Sequence, residues 1–417
     1  MLVRNLSRVF FAAFAAISGV QPAQAREPIG IAFIDGLTGP FANVGEGSWR
    51  HLALEIEKIN ASGGVLGGRR LEAISLDSKS NPQDAILALK SAMDRGYRIV
   101  FQGNGSSVAL ALTHAIDKHS QRNPNDPVLF LNYSALDPAL TNERCSFWHF
   151  RFEADVPMRM KALVEAIGRR SEVRSVYLIN QDYSYGHSVA RFAREMLAAR
   201  RADIRIVGND LHPIATVKDF SAYVAKIKAS GADVVITGNW GNDLNLLVKA
   251  ARASDVRVDF YTYFGATDGA PTAIGRAGVE RVKVVNVWHS NIDGRDTDQL
   301  AKAWKRRFPD SVADLDYASF RIAIAMLTRA LEQVGSFDLR RVALAMEGMR
   351  IQDDAGEVWM RADNHQLIQP MFVSTFMPVD GKAVKHDLER TGFGLRTDMR
   401  LDAKDTVLPT TCRMRRP

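Results

Sequence analysis

The chain has 417 residues, 46% hydrophobic and 24% charged, the make-up of a folded soluble protein with material for two hydrophobic cores. Its 54 Lys and Arg against 47 Asp and Glu leave a net charge of +7, scattered apart from short runs such as "KAWKRRF" and the terminal "CRMRRP". Aromatics do not interleave with these positive residues at nucleic-acid-binding spacing, so the charge describes a basic solvated surface and no nucleic acid is expected as a partner.

The first 25 residues stand apart. Arg4 and Arg8 precede the apolar run "VFFAAFAAISGV", and "AQA" at 23–25 ends it on small residues. A basic head, an apolar middle and a small-residue site make an export signal cut after Ala25. The competing reading, a membrane anchor, needs about 20 apolar residues, more than this run offers. No cysteine follows the cut to take a lipid, and no later segment is long and apolar enough to span a bilayer.

From residue 29 strands alternate with helices. "IGIAFID" is a strand; Trp49, Leu52, Ala53 and Ile56 then fall at i, i+3, i+4 and i+7, one apolar helix face. "GGVLGGRR" breaks the pattern before the strand "LEAISLD". The helix "NPQDAILALKSAMDRG" follows, with Asn81 as N-cap, Pro82 in the first helical position and Gly96 closing it. "RIVFQ" runs into "GNGSS" and another helix. The rhythm repeats through "SVYLINQ", "IRIVGND", "DVVITG", "VDFYTYF" and "VKVVNVW", with helices between them carrying Val189, Phe192, Ala193, Met196 and Leu197 or Leu244, Leu247, Val248 and Ala251 on one face. The expected fold class is α/β: two Rossmann-like lobes built on parallel sheets, with boundaries near 150 and 288.

Ligands of open parallel sheets sit beyond the carboxyl ends of the strands, which makes the turns there the candidate site. "GNGSS" lacks the third glycine of a dinucleotide fingerprint and the lysine of a P-loop. Gly105, Ser106 and Ser107 at a helix start suit a singly charged anion, a carboxylate, through hydroxyl and amide hydrogens. The bland alternative is a serine that caps only its own helix. Tyr185 and Trp240 occupy corresponding turns and line a cleft or pack locally; Asp268 in "ATDGAP" accepts from a ligand or merely forms its turn. No GxSxG elbow occurs, and neither His114 nor His187 is placed to act as a base for Ser106, so no catalytic set is expected. Without CxxC or paired histidines there is no metal site, and no cofactor is expected. Cys145 and Cys412, the only cysteines, are a disulfide in an oxidising compartment or two buried thiols.

The exported chain with "IGIAFIDGLTGPFANVGEGSWRHLALEIEKINASGGVLGGRRLEAISLDSKSNPQDAI", the "DYSYG" turn at 182–186 and "DFSAYVAKIKASGADVVITG" closely resembles the periplasmic solute-binding proteins of branched-chain amino-acid-type ABC transporters, over about residues 29–375. The resemblance implies a type I periplasmic binding fold with a three-crossing hinge. Residues 28–149 and 288–351 would form lobe 1, residues 150–287 and 352–380 lobe 2, and 381–417 a C-terminal tail. It implies that Ser106 and Ser107 grip a ligand carboxylate, that Tyr185 and Trp240 are the cleft aromatics of the opposite wall, and that Asp268 is the acidic ligand of an ammonium. A position that usually offers a hydroxyl to a ligand ammonium aligns through "PALT" with Leu136, with Tyr133 and Ser134 just upstream. A first-lobe aromatic is Val44 here. Both are departures from an α-amino-acid site. The partners implied are a small carboxylate, a membrane permease and its ATPase, with the receptor a periplasmic monomer; a soluble sensor of the same fold feeding a membrane signalling protein is the alternative.

Overall fold

The computed structural model describes residues 26–309, 311 and 313–417; the expected export signal lies outside them. The first sheet contains β1 (Ile29–Asp35), β2 (Leu71–Asp77), β3 (Ile99–Gln102), β4 (Leu129–Asn132) and β5 (His149–Arg151) in the order β2-β1-β3-β4-β5, all parallel. The second contains β6 (Ser175–Gln181), β7 (Arg205–His212), β8 (Val234–Thr237), β9 (Asp259–Thr262) and β10 (Val282–Asn286), ordered β10-β9-β8-β6-β7, which repeats the first sheet's winding. In both, the order reverses beside the first strand of the unit, and the loops at that reversal open a crevice.

These strands are nearly continuous apolar runs because helices cover both faces. The helix Pro82–Asp94 starts as its sequence demands: Asn81 accepts from the N–H of Gln83 at 2.8 Å and of Asp84 at 3.2 Å. The helix Ala42–Ala61 buries Leu52 and Ile56 against the first sheet.

Later strands were not expected. β11 (Arg350–Asp353), β12 (Gly356–Met360) and β13 (Leu367–Ile368) form a small antiparallel sheet. β14 (Met371–Pro378) and β15 (Phe393–Leu401) extend the second sheet antiparallel from β10. The expected tail from 381 is therefore corrected: β15 hydrogen-bonds along the length of β14.

Two apolar clusters divide the chain. Apart from Phe41 and Leu136, which pack with the second cluster, and Phe372, which packs with the first, membership changes between Phe152 and Ala154, between Val287 and Trp288, and between Leu367 and Ile368. The first two changes fall close to 150 and 288. The third is displaced from the expected 351/352, because Ala355, Val358 and Met360 pack with the first cluster. Cys145 and Cys412 are bonded, tying the end of the chain to the first lobe.

His289, just after the second crossing, is buried among β14 and β15. Its Nδ1 accepts from the Asn291 N–H at 3.2 Å, so Nε2 carries the proton and faces Ser374 Oγ and Thr397 Oγ1, each at 3.0 Å. Burial pushes its pKa down to about 3. A histidine held below its unfolded pKa stabilises fully above about pH 6.5, and that stability is lost as pH falls. Between about pH 8 and pH 5 the wild type should lose about 2 kcal/mol more than His289→Gln in paired urea titrations. Parallel pH profiles for the two proteins would contradict this.

Candidate functional site

The crevice between the lobes is lined from both sides at the strand ends. From the first lobe come the turn Gly103–Ser106 after β3, Ser134–Leu136 after β4, Val44 and Tyr317. From the second come Tyr183 and Tyr185 after β6, Trp240 and Gly241 after β8, and Phe264 and Thr267 after β9. Together they enclose a narrow cleft with about 20 Å³ open to the centre of a water-sized sphere. The lobes touch over it: Phe41 stacks on Trp240 with ring centroids 4.0 Å apart, and Asn43 Nδ2 donates to the Asp268 carbonyl at 3.0 Å.

The Gly103–Ser106 turn is built from beneath by Asp35 at the end of β1. Its buried carboxylate accepts from the N–H groups of Gly36 (2.8 Å), Gly103 (3.1 Å) and Asn104 (3.2 Å) and from the Tyr133 hydroxyl (2.6 Å). Burial raises the pKa of Asp35 while these donors oppose the shift. Gly103 cannot be replaced lightly: a β-carbon there would meet the Ser134 nitrogen and the Tyr133 ring at 2.7 Å. Gly105, with φ +91°, turns the chain into the helix Ser106–Arg122.

That geometry leaves the N–H groups of Gly105, Ser106 and Ser107 without an acceptor among the described residues. Ser106 Oγ accepts from the Asp137 N–H at 3.2 Å, which leaves its own hydrogen to donate. The helices Ala42–Ala61, Ser184–Arg200, Gly241–Ala253 and Ala318–Val334 also begin at the crevice, each with a residue of its cap or first turn in the lining. No lining residue carries a formal charge. The positive ends of these helices then set the local potential and favour one anionic group.

The remaining walls are aromatic. Tyr185 donates to the Gly238 carbonyl at 2.9 Å and Trp240 Nε1 to the Tyr183 hydroxyl at 2.9 Å, so both rings are fixed within the second lobe. Ser134 and Leu136 line the crevice, and Leu136 also packs into the second cluster. Val44 lines the crevice from the first lobe.

Three expected residues stand elsewhere. Ser107 is exposed, because one helical step rotates its side chain about 100° away from that of Ser106; only its N–H remains in play. Tyr133 is fully buried behind the turn, its hydroxyl committed to Asp35. Asp268 turns its carboxylate toward the helix Ala42–Ala61, where a β-carbon on Gly47 would come within 2.0 Å of Oδ2; its neighbour Thr267 lines the crevice instead. Sequence reasoning missed Tyr183, Phe264, Thr267 and Tyr317. Tyr183 and Thr267 lie inside turns already singled out and Phe264 ends the run "VDFYTYF", whereas Tyr317 starts a helix far along the chain and follows no strand.

Among known proteins, the family model described as "Periplasmic binding protein" matches residues 28–381. A Brucella abortus relative named "Leu/Ile/Val-binding protein homolog 4" is 30% identical over 410 residues, 96% of each chain. The crystal structure of a leucine-, isoleucine-, valine-, threonine- and alanine-binding protein from Brucella ovis, in its closed conformation, superposes with a TM-score of 0.84 at 29% identity, covering 94% of this chain and all of that one. An R. palustris solute-binding protein in complex with benzoate shares the fold, with a TM-score of 0.77 at 17% identity over 93% of this chain and 99% of that one. With its two wound lobes and an uncharged crevice between them, the chain belongs to the periplasmic binding protein family, whose members bind solutes and are not enzymes.

Proposed function

We propose that the protein is the exported receptor of an ABC importer and captures a small monocarboxylate with an apolar or aromatic body, an apolar amino acid or an organic acid. The observation that carries this reading is the set of free N–H groups at Gly105, Ser106 and Ser107, beside the Ser106 hydroxyl, at the start of a helix that opens onto a charge-free crevice. Tyr183, Tyr185, Trp240 and Phe264 supply flat apolar walls for the ligand's body. The named ligands of the relatives fit that class: leucine, isoleucine and valine in one branch, benzoate in another.

Closure follows from contacts made on both sides. A ligand held by Ser106 on one lobe and by Tyr185 and Trp240 on the other has its full set of contacts only in the closed form, so binding shifts the balance toward closure. The closed receptor then docks on a membrane permease coupled to an ATPase. Export and cleavage after Ala25 place it in the periplasm.

Thermal-shift screening of residues 26–417 against matched pairs of carboxylic acids and their primary amides tests this. Carboxylates with apolar or aromatic bodies should raise the unfolding temperature in proportion to RT ln(1 + [L]/Kd), and their amides should not. A panel in which amides or sugars stabilise while carboxylates do not would overturn the reading.

A further inference from the structure

Behind the crevice lies a second compartment, nearer the hinge. It leaves about 30 Å³ open to the centre of a water-sized sphere, room for a group the size of an ammonium, and shares Phe264, Thr267 and Tyr317 with the crevice as a common wall. Its other walls differ in kind, for they carry Glu153, Arg159, Asn286 and Asp316.

Several polar atoms there have no hydrogen-bond partner among the described residues: both carboxyl oxygens of Asp316, Asn286 Oδ1 and Arg159 Nε. Arg159 is 4% exposed and the Asp316 side chain 10%. The guanidinium is otherwise committed, with Nη1 donating to the Tyr263 and Val285 carbonyls at 2.7 and 2.9 Å and Nη2 3.0 Å from Glu153 Oε1. It cannot also neutralise Asp316.

His51 does not neutralise Asp316 either, although its Nε2 is 3.1 Å from Asp316 Oδ1. Nδ1 of His51 faces the Gly47 carbonyl at 2.8 Å and donates to it, while Nε2 accepts from the N–H groups of Asp316 and Tyr317 at 3.2 and 3.4 Å. Burial drives this imidazole down to a pKa of about 4, so it is uncharged at neutral pH. The other charged groups influencing Asp316 are acids, Asp314, Glu389, Glu153 and the nearby Asp268. Burial first, then these neighbours, hold the Asp316 carboxyl well above the usual range. An unpaired buried acid among acids, facing unfilled space, is the complement of a cation.

We propose that the inner compartment is a distal subsite of the same ligand site and takes a primary ammonium at the far end of a carboxylate ligand, with Asp316 and Asn286 Oδ1 as its acceptors. The proposal rests on the carboxylate reading of the outer crevice. It makes the preferred ligand bifunctional: carboxylate on the Ser106 turn, apolar middle between the aromatic walls, ammonium beyond Phe264 and Tyr317. An α-ammonium would sit beside the carboxylate, where the crevice offers no acid.

The test is isothermal titration of residues 26–417 with straight-chain ω-amino carboxylates, from β-alanine to ε-aminocaproate, and with the alkanoates of matching length. At one chain length the ω-amino acid should bind at least about tenfold more tightly than its alkanoate, the effect of one charged hydrogen bond. Asp316→Asn, which keeps the shape of the neutral acid, should erase that preference while the alkanoate's affinity stays unchanged. Ser106→Ala should weaken both ligands. Equal binding of both series, with Ser106→Ala still weakening both, would overturn the subsite and leave the carboxylate reading standing. Indifference of both series to Ser106→Ala would bring down the carboxylate reading and the subsite with it. A preference that survives in an Asp316→Asn protein of unchanged thermal stability would also overturn the subsite.

Discussion

Replacing Arg151 with methionine should destabilise the protein by about 4 kcal/mol, because the change strands a buried acid at the hinge. Arg151 is fully buried at the end of β5, where the chain makes its first passage between lobes. Its Nε donates to Gln366 Oε1 at 2.6 Å, beside the third passage; Nη1 donates to the Asp137 carbonyl at 2.6 Å; Nη2 reaches Thr141 Oγ1 and, at 3.1 Å, Asp155 Oδ2. One side chain thus joins two hinge segments to the loop that carries Ser134 and Leu136. Methionine fills much of the volume and satisfies none of the acceptors. Urea unfolding followed by circular dichroism should show the midpoint fall with an unchanged slope. The double variant Arg151→Met, Asp155→Leu should recover part of the loss, since no charge is then left unpaired. A loss under about 1 kcal/mol for the single variant would show that the hinge tolerates the stranded acid.

The disulfide should carry a comparable share of stability. Cys145 and Cys412 are 267 residues apart in sequence, so their bond closes a loop of about two thirds of the unfolded chain. Loop-closure entropy for so long a loop amounts to about 5 kcal/mol, and about 3–5 is expected once residual structure in the unfolded chain is allowed for. The bond does not hold the tail alone. Thr410 Oγ1 donates to the Thr141 carbonyl at 3.0 Å, the Thr411 N–H to Asn142 Oδ1 at 3.0 Å, and Arg416 pairs with Glu347 at 2.6 Å. These contacts persist in a Cys145→Ser, Cys412→Ser protein, whose native form should look unchanged while its unfolding midpoint drops. Ligand affinity should stay level, because neither cysteine lines the crevice. Coincident midpoints for oxidised and reduced protein would contradict the entropic account.

Much of this architecture was legible before any coordinates. The alternation from "IGIAFID" to "VKVVNVW" announced two wound sheets because buried parallel strands must be apolar on both faces. Asn81 and Pro82 marked a helix start for reasons local to the backbone. The part that escaped depends on distant partners. Phe393–Leu401 alternates Leu395, Met399 and Leu401 with Arg396, Asp398 and Arg400, which reads as polar tail until β14 lies beside it. Tyr317 reaches the crevice only because the chain returns to the first lobe after residue 288.

The site was legible to the turn and not to the side chain. Ser106 could be named from "GNGSS", yet a helical step of about 100° separates the inward Ser106 from the outward Ser107. At the turn after β9 a single residue decides the matter, with Thr267 on the crevice and Asp268 facing Gly47. Backbone geometry of that fineness has no signature in composition or spacing.

Isothermal titration of the most stabilising carboxylate from the screen, into the wild type and into Ser106→Ala, measures the anion grip directly. A charged hydrogen bond to the carboxylate is worth about 1.5–3 kcal/mol, so the variant should bind roughly ten- to a hundredfold more weakly, with a small loss of ligand-free stability from the Asp137 N–H that Ser106 Oγ no longer accepts. Equal affinity for the two proteins would contradict the claim that this helix start holds the ligand's negative end.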